Sequence, residues 1–417
     1  MSFPRYEKYK DSGVPWLGEV PEHWQLKPLK RLTKCLDGLR IPLNGEERSH
    51  MLGDIPYWGA NNIMDYVNDW LFDEEIVLLG EDGAPFFDRT KPVSFVSSGR
   101  AWINNHIHVL KANPAIQSKL LAHQLNSVDF MDYIDGSTRD KLTQGKMKEI
   151  PCLLPPFEEQ NRIVAFLDEK AAEIDAAIGK KERLIALLEE QKQILINQAV
   201  TQGLDPAAPK KDSGIPWIGQ IPAHWEVKRG KYLLKEIDER SVEGLEELLS
   251  VSHMTGVTPR SEKNVNMFMA EDYSGSKVCR QGDLVMNIMW AWMGALGVSN
   301  QTGIVSPSYG VFRPRQPQQF NSWFLEQLLR SKLYVSEYNK RSTGLHSSRL
   351  RLYADVFLAM ELIYPDRAEQ NQIEKEVEAR LVEHDLVINS AFQKIDKLKE
   401  LKSILISNAV TGKIKIE

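Results

Sequence analysis

The sequence predicts an α+β protein with a pseudo-two-fold internal repeat, in which two mixed α/β globular domains alternate with two long antiparallel coiled-coil helices. Three observations support this. A turn-rich segment occurs twice, a long helical pattern occurs twice, and two stretches of short β-rich runs lie between them. The length of 417 residues allows two or more domains. We expect globular domains at 1–154 and 204–364 and helices at 155–203 and 365–417.

The composition is that of a soluble globular protein. Apolar residues make up 42% and charged residues 26%, which excludes disordered, collagen-like and disulfide-rich classes. Three cysteines without CxxC spacing argue against a disulfide framework or a structural zinc site. The chain contains no apolar run approaching about 18 residues, so we expect a cytoplasmic protein without a membrane partner. The net charge of −5 is compatible with local basic patches but not with a wholly basic surface.

The turn-rich repeat pairs Lys10–Lys27 with Lys211–Lys228 at a constant offset of 201, and eleven of the eighteen positions are identical. Both copies contain a His-Trp pair, at His23-Trp24 and at His224-Trp225. Such a pair could serve as a binding platform. Tryptophans set among prolines and glycines, however, more often pack on a core and fix a non-helical chain. We therefore favour packing anchors.

The helical repeat begins at Glu159-Gln160-Asn161 and Glu369-Gln370-Asn371 and keeps an offset of 210 as far as Thr201 and Thr411. Apolar residues recur at a and d positions with charged flanks, which predicts two long helices that pair with each other. Each would contain about 40 residues and measure roughly 60 Å. The pairing seam is predicted at Leu167, Ile174, Ile178, Ile185, Leu188, Leu195, Val377, Leu381, Ile388, Ile395, Leu398 and Leu405.

Proline marks the start of each helix, at Pro155-Pro156 and at Pro365, because proline is tolerated in a first helical turn and excluded from a helix interior. Two matched lysines, Lys192 and Lys402, interrupt the apolar seam. We expect an open rim or a local bend where the seam is imperfect.

The stretches 28–154 and 229–364 are predicted to be mixed α/β, because short β-rich runs alternate with Gly, Asn, Asp and Pro. Strands are predicted at Glu75–Leu79, Pro92–Val96, Ile107–Leu110, Leu284–Met286 and Tyr309–Phe312. Helices are predicted at Ser118–Tyr133 and Ser322–Tyr338. We expect these two domains to diverge on a repeated scaffold.

The sequence shows no complete catalytic motif and no metal site. It lacks GxxxxGK[ST], GxGxxG after a strand, and HExxH. His106 and His108 alternate on a predicted strand without ligands at metal spacing, so we interpret them as strand-surface residues. Leu154-Pro155-Pro156-Phe157 differs by one residue from the Asn/Asp-Pro-Pro-Tyr/Phe motif of amino-methyltransferases, but leucine cannot accept a hydrogen bond from the target amine. An orphan methyltransferase or nuclease is therefore a disfavoured alternative, and we expect no catalytic residue.

Basic residues cluster ahead of each helix, in Ser137–Lys148 and in Arg341–Arg351, each with a local charge of +3 from the residues present. Serine, threonine and glycine accompany them, a combination that suits phosphate contacts, while arginine can read guanine edges. A lone charge run is usually a solvated face, but recurrence at equivalent points of both halves favours a nucleic-acid interface. The candidate DNA-binding residues are Arg139, Lys141, Lys146, Lys148, Arg341, His346, Arg349 and Arg351.

These features resemble the specificity subunits of type I restriction-modification systems. Pro155-Pro156-Phe-Glu-Glu-Gln160-Asn-Arg-Ile163, repeated as Tyr364-Pro-Asp-Arg-Ala-Glu-Gln370-Asn-Gln-Ile373, is similar to the signature that opens that family's conserved helices. Two further segments are similar to sequence segments of that family's recognition domains, namely Ile55–Ile63 and Ser306–Pro314. Tyr364-Pro365-Asp366 departs from the first copy, since it lacks the second proline. The similarity extends over nearly the whole chain.

The resemblance implies two target-recognition domains, each reading one half of a bipartite, asymmetric DNA site, with helices that set the unread spacer. It also implies partners, namely double-stranded DNA, two methyltransferase subunits and motor-nuclease subunits. S-adenosylmethionine, ATP and Mg²⁺ would belong to those partners, and this chain would hold no cofactor and have no catalysis of its own. A protein-only coiled-coil adaptor is the remaining alternative. It would explain the helices and the repeats but not the paired basic segments.

Overall fold

A computed structural model of the protein describes residues 3–135, 140–262, 272–344 and 350–417. The chain divides into two compact units. Unit 1 comprises Met1–Arg183 together with Ser390–Glu417, and unit 2 comprises Leu184–Asn389. Each unit therefore contains one globular portion and one half of each long helix. Within the described ranges, no helix combines the length and the apolar character needed to cross a bilayer.

Unit 1 contains fourteen described strands and three short helices before the first long helix. The strands are β1 Tyr9–Asp11, β2 Glu19–Pro21, β3 Gln25–Pro28, β4 Thr33–Cys35, β5 Leu52–Trp58, β6 Ile63–Val67, β7 Phe72–Asp73, β8 Ile76–Gly80, β9 Ser94–Ser97, β10 Arg100–Ile103, β11 Ile107–Ala112, β12 Ile134–Asp135, β13 Lys141–Leu142 and β14 Pro151–Leu154. The helices are α1 Gly45–His50, α2 Ser118–Leu125 and α3 Gln144–Glu149, followed by the long α4 Phe157–Gln202.

Unit 2 repeats this order with twelve described strands. They are β15 Lys210–Asp212, β16 Gln220–Pro222, β17 Glu226–Arg229, β18 Leu234–Glu236, β19 Leu249–Ser252, β20 Gly256–Pro259, β21 Lys277–Cys279, β22 Leu284–Met286, β23 Leu296–Val298, β24 Gly303–Val305, β25 Gly310–Pro314 and β26 Glu361–Tyr364. Its helices are α5 Gly230–Leu233, α6 Ser322–Arg330, α7 Lys332–Arg341, α8 Ala354–Ala359 and the long α9 Arg367–Val410.

One four-stranded antiparallel sheet is common to the two globular portions despite their divergent sequences. Unit 1 contains an antiparallel sheet in the order β4-β11-β8-β9, and unit 2 contains the corresponding β18-β25-β22-β23. The central strands β8 and β22 are buried along their whole length. Each central strand packs on a helix with one face and on further strands with the other. Burial of both faces explains why the continuous apolar runs at Glu75–Leu79 and Leu284–Met286 signalled strands.

The predicted helices of the globular portions are shorter than expected. The helix expected at Ser118–Tyr133 ends at Leu125, and the Asn126 side chain accepts the backbone N–H groups of Val93 and Ser94 at 2.7 and 2.8 Å. The helix expected at Ser322–Tyr338 is divided into α6 and α7 at Ser331, whose extended backbone ends one helix and begins the next. Local polar bonding and an extended residue thus override helical periodicity.

The long helices pair antiparallel in each unit. In unit 1, Ile163 and Val164 near the start of α4 share a core with Ala409 and Val410 at the end of α9. In unit 2, Ala199 and Val200 at the end of α4 share a core with Ile373 and Val377 near the start of α9. All twelve predicted seam residues are buried or half-buried. The helices begin two residues later than predicted, and the stretch 411–417 lies outside α9.

Candidate nucleic-acid interface

A carboxylate clamp fastens the turn-rich repeat to the start of α4. The Trp24 indole N–H donates to Oε2 of Glu159 at 2.9 Å, and Nε2 of His23 lies 2.6 Å from Oε1 of the same side chain. The Trp24 side chain is fully buried. Burial alone would raise the pKa of Glu159, but these hydrogen bonds and the nearby imidazole hold it below its usual range. The His-Trp pair is therefore part of the scaffold.

Unit 2 repeats the clamp with the same atoms. The indole N–H of Trp225 donates to Glu369 at 3.0 Å, and His224 lies 2.7 Å from the other oxygen of that carboxylate. The glutamines that follow the clamp residues are also buried, Gln160 at 1% and Gln370 at 0% exposure. Each donates to the proline carbonyl five residues earlier, Pro155 or Pro365. The Glu-Gln pair therefore stabilises the start of each long helix through side-chain hydrogen bonds.

A buried polar network lies beside the basic segment of unit 1. Nδ1 of His108 lies 2.7 Å from Asp37, and Nε2 donates to the Leu142 carbonyl at 2.9 Å. Arg40 donates to Glu81 at 2.7 Å. His108 is 1% exposed, so it is a core residue and not the strand-surface residue that alternation predicted. The contact with Leu142 positions strand β13, which carries Lys141.

The charges of this network compensate one another. Burial by itself would raise the pKa of Asp37, but the hydrogen bond from His108, the charges of His108 and Arg40 and the amide of Val109 hold it well below its usual range. Ligand atoms of Asp37, Glu81 and His108 lie within 4.8 Å of one another, which is close enough to hold a metal ion. The Arg40 guanidinium already contacts Glu81 and lies 3.7 Å from Asp37. The cluster is therefore an internal ion-pair network in this conformation.

Three predicted DNA-binding lysines of unit 1 lie at the surface or partly exposed, and each has an internal partner. Lys141 lies 3.4 Å from Glu81 and Lys146 lies 3.1 Å from Asp135. Lys148 donates to the Gln144 side chain at 2.8 Å. Arg139, the fourth predicted residue, lies outside the described residues. The basic character of this segment is thus partly offset by its own acidic neighbours.

The corresponding segment of unit 2 contains two described candidates. Arg341 donates to Glu337 at 2.7 Å. Arg351 is exposed, its backbone pairs with Thr343, and its guanidinium makes no ion pair with any part of the chain that the structure describes. His346 and Arg349 lie outside the described residues.

An amide-lined cavity next to Lys141 was not predicted from the sequence. It is open, measures about 610 Å³, and is lined by Ala60, Asn61, Asn62, Ile63, Met64, Asn104 and His106. Nδ1 of His106 lies 2.7 Å from Asp82, which forms a β-bridge with Lys141. Asparagine side chains present paired donors and acceptors, the arrangement that reads adenine edges. In the sequence, the Asn61-Asn62 pair was the feature that could have indicated this cavity. It lies within Ile55–Ile63, the segment that resembles part of a recognition domain.

Comparison with known proteins shows a family match over part of the chain. Residues 21–185 match the model of the type I restriction modification DNA specificity domain. The type I restriction enzyme specificity subunit S.HindORF215P of Haemophilus influenzae is 36% identical over 146 residues, which cover 35% of this chain and 37% of that protein. The EcoprrI specificity subunit of Escherichia coli is 26% identical over 170 residues, covering 40% and 41%. The chain therefore matches less than half the length of either relative.

A solved chain, from work on assembly and conformational transition of a type I restriction-modification system, has the same fold. Its TM-score is 0.60 at 15% sequence identity, and the alignment covers 94% of this chain and 98% of that one. The α+β fold with two long paired helices is thereby confirmed. The domain match and the curated relatives show that residues 21–185 are similar to a type I restriction modification DNA specificity domain.

Proposed function

We propose that this protein is the sequence-specific DNA-recognition subunit of a type I restriction-modification complex. Each globular unit reads one half of a bipartite, asymmetric target, and the paired helices set the length of the unread spacer. The observation that carries this proposal is that one scaffold occurs twice and presents a different surface each time. Matching His-Trp-Glu clamps fix both units, whereas an amide cavity beside Lys141 occurs in unit 1 and an exposed Arg351 beside aromatic residues occurs in unit 2.

The chain contributes recognition and its partners contribute the chemistry. A methyltransferase pair would supply S-adenosylmethionine, and motor-nuclease subunits would supply ATP and Mg²⁺, in the cytoplasm. The broken methyltransferase motif supports this division. Leu154 lies in strand β14 and pairs with Gln25, and Pro155 is buried at the helix entry, so this segment is structural.

Exposed apolar residues on the long helices support the docking of methyltransferase subunits there. On α4, Leu187 and Ile194 are 41% and 43% exposed, and on α9, Leu386 and Phe392 are 66% and 51% exposed. Exposed apolar side chains on charged helices are available to a protein interface where they lie together as a patch. A pairing seam and an outward apolar face together allow each helix to bind its partner helix and a second protein.

The decisive experiment exchanges residues 30–150 for the equivalent domain of a relative and compares the methylated motif in cells. We expect one half of the motif to change and the other half to persist. A change in both halves, or in neither, would overturn the assignment of one half-site to each unit. Assembly of the complex that is insensitive to salt and independent of DNA, with no methylated motif, would favour the protein-only adaptor.

A further inference from the structure

A pair of tryptophans in unit 2 forms a fixed aromatic stack at the surface. The rings of Trp290 and Trp292 have centroids 6.0 Å apart and planes inclined by 19°, an offset-stacked arrangement. Trp292 is half-buried, whereas Trp290 is 47% exposed. About half of the outer ring is therefore accessible, as expected when one face is covered by its neighbour and the other is open.

The turn that carries the stack is rigid. The indole N–H of Trp292 donates to the Met289 carbonyl at 3.0 Å, and the backbone N–H of Trp290 donates to Asn287 at 3.0 Å. Asn287 is 6% exposed and binds the Tyr309 hydroxyl at 2.9 Å. Gly294 closes the turn with φ of 82°, in the left-handed region that favours glycine. The ring is thus presented with little conformational entropy left to lose on binding.

The stack lies beside the predicted DNA-binding segment of the same unit. The backbone N–H of Leu352 donates to the Ile288 carbonyl at 3.0 Å, which brings Arg351 next to the aromatic turn. Helix α7, which ends in Lys340 and Arg341, also packs against this turn. An open aromatic face beside basic side chains is the combination that binds nucleic acid bases together with their phosphates.

From this arrangement we infer that Trp290 stacks its open face on a nucleobase of the target DNA, at a step that is unstacked in the half-site of unit 2. This inference rests on the proposed function and adds a base-binding residue to it. In an intact duplex the base faces are covered, so the contact requires a displaced base or an opened step. Arg351, beside this turn, would contact the same half-site.

Trp70 of unit 1 provides a matched control. It is 38% exposed, which is similar to Trp290. The guanidinium carbon of Arg100, however, lies 3.8 Å from the centre of its ring. One face of that ring is therefore taken by a guanidinium and not by a second indole, and Trp70, which lies in unit 1, controls for the loss of an exposed tryptophan outside the unit 2 turn.

The test uses the full chain together with a methyltransferase partner, and duplexes that carry the methylated motif with 2-aminopurine placed at successive positions. We expect one position in one half-site to change fluorescence on binding, and Trp290→Ala to abolish that change and weaken cognate binding about 5- to 100-fold. Trp290→Phe should retain part of the signal, and Trp70→Ala all of it.

Two negative outcomes can be told apart. If the wild-type protein binds specifically and Trp290→Ala keeps both the affinity and the fluorescence change, only the stacking inference is overturned. If the wild-type protein shows no sequence-specific binding, the proposed function fails and the stacking inference fails with it. Circular dichroism of Trp290→Ala and Trp290→Phe would show whether a lost signal reflects misfolding, and Trp290→Phe retains an aromatic face if alanine perturbs the turn.

Discussion

The ammonium group of Lys192 on α4 lies 2.6 Å from the carboxylate of Asp385 on α9, within unit 2. Its counterpart in unit 1 joins Lys402 on α9 to Asp175 on α4 at 2.7 Å. The four residues are related by the same offset of 210 that relates the two helices. The two lysines that interrupt the apolar seam in the sequence therefore form matching interhelical ion pairs, which favour one antiparallel register.

Charge reversal should test this register. Lys192→Asp would place two carboxylates together, and we expect a loss of about 0.5–1 kcal/mol in the free energy of unfolding, since the pair is partly exposed. The double variant Lys192→Asp with Asp385→Lys should recover most of that loss. Urea unfolding at low and high salt provides the measurement. A double variant no more stable than the single one would show that the pair makes no specific contribution.

Removal of a clamp carboxylate should destabilise the unit that contains it. Glu369→Ala leaves the buried indole N–H of Trp225 without its acceptor, so we expect a loss of about 1–3 kcal/mol in the free energy of unfolding. Glu369→Gln retains an acceptor oxygen and should lose less. Glu378→Ala, an exposed change on the same helix, serves as the control in urea denaturation. Equal stabilities of the Glu369→Ala and Glu378→Ala variants would contradict the clamp.

The buried Asp37 network should make unit 1 sensitive to acid. Because the folded pKa of Asp37 is depressed, its contribution is complete above the ordinary aspartate pKa of about 3.9 and is lost as the pH falls below that value. At pH 7, Asp37→Asn leaves His108 without its charged partner, and we expect a loss of about 3 kcal/mol. Urea unfolding at pH 7 and pH 3 should show a smaller pH dependence in this variant. Asp73→Asn, at an exposed ion pair, should behave like wild type at both values.

The predicted DNA contacts should separate into two kinds. Lys141→Ala should weaken binding to all sequences and flatten the plot of log K against log salt by about one unit, as expected for a lost phosphate contact. Loss of a base-reading arginine, tested by Arg351→Ala and Arg349→Ala, should cost about 1–3 kcal/mol on the cognate site only. Arg139→Ala belongs to the same set, and Lys170→Ala removes an equal charge as the control. Unchanged affinity and slope in all four variants would place the interface elsewhere.

Helix length should determine the unread spacer of the target. The test adds seven residues in heptad register to both helices, after Arg183 in α4 and after Asn389 in α9. This insertion keeps the apolar seam in phase and lengthens each helix by about 10 Å, which corresponds to roughly three base pairs of DNA. We expect both half-sites to persist while the spacer of the methylated motif grows. Lengthening α4 alone should disrupt pairing. An unchanged spacer in an active, doubly lengthened protein would indicate that docked partners set the distance.

Periodic features of this protein were readable from the sequence, because local spacing alone determines them. The a/d pattern predicted two long helices and a seam whose twelve residues, from Leu167 to Leu405, are all buried or half-buried. Continuous apolar runs predicted the central strands at Ile76–Gly80 and Leu284–Met286. Internal offsets predicted the repeated scaffold.

Features that join distant residues were decided only by the tertiary structure. Glu159 and Trp24 are 135 residues apart, and nothing local to either indicates that a carboxylate would satisfy that indole. His108 looked like a surface residue because alternation gives no information on which side of a strand a second layer covers. The amide cavity beside Lys141 and the stack beside Arg351 likewise require chain segments that only packing brings together. Burial and long-range hydrogen bonds select these contacts, and a one-dimensional pattern does not contain them.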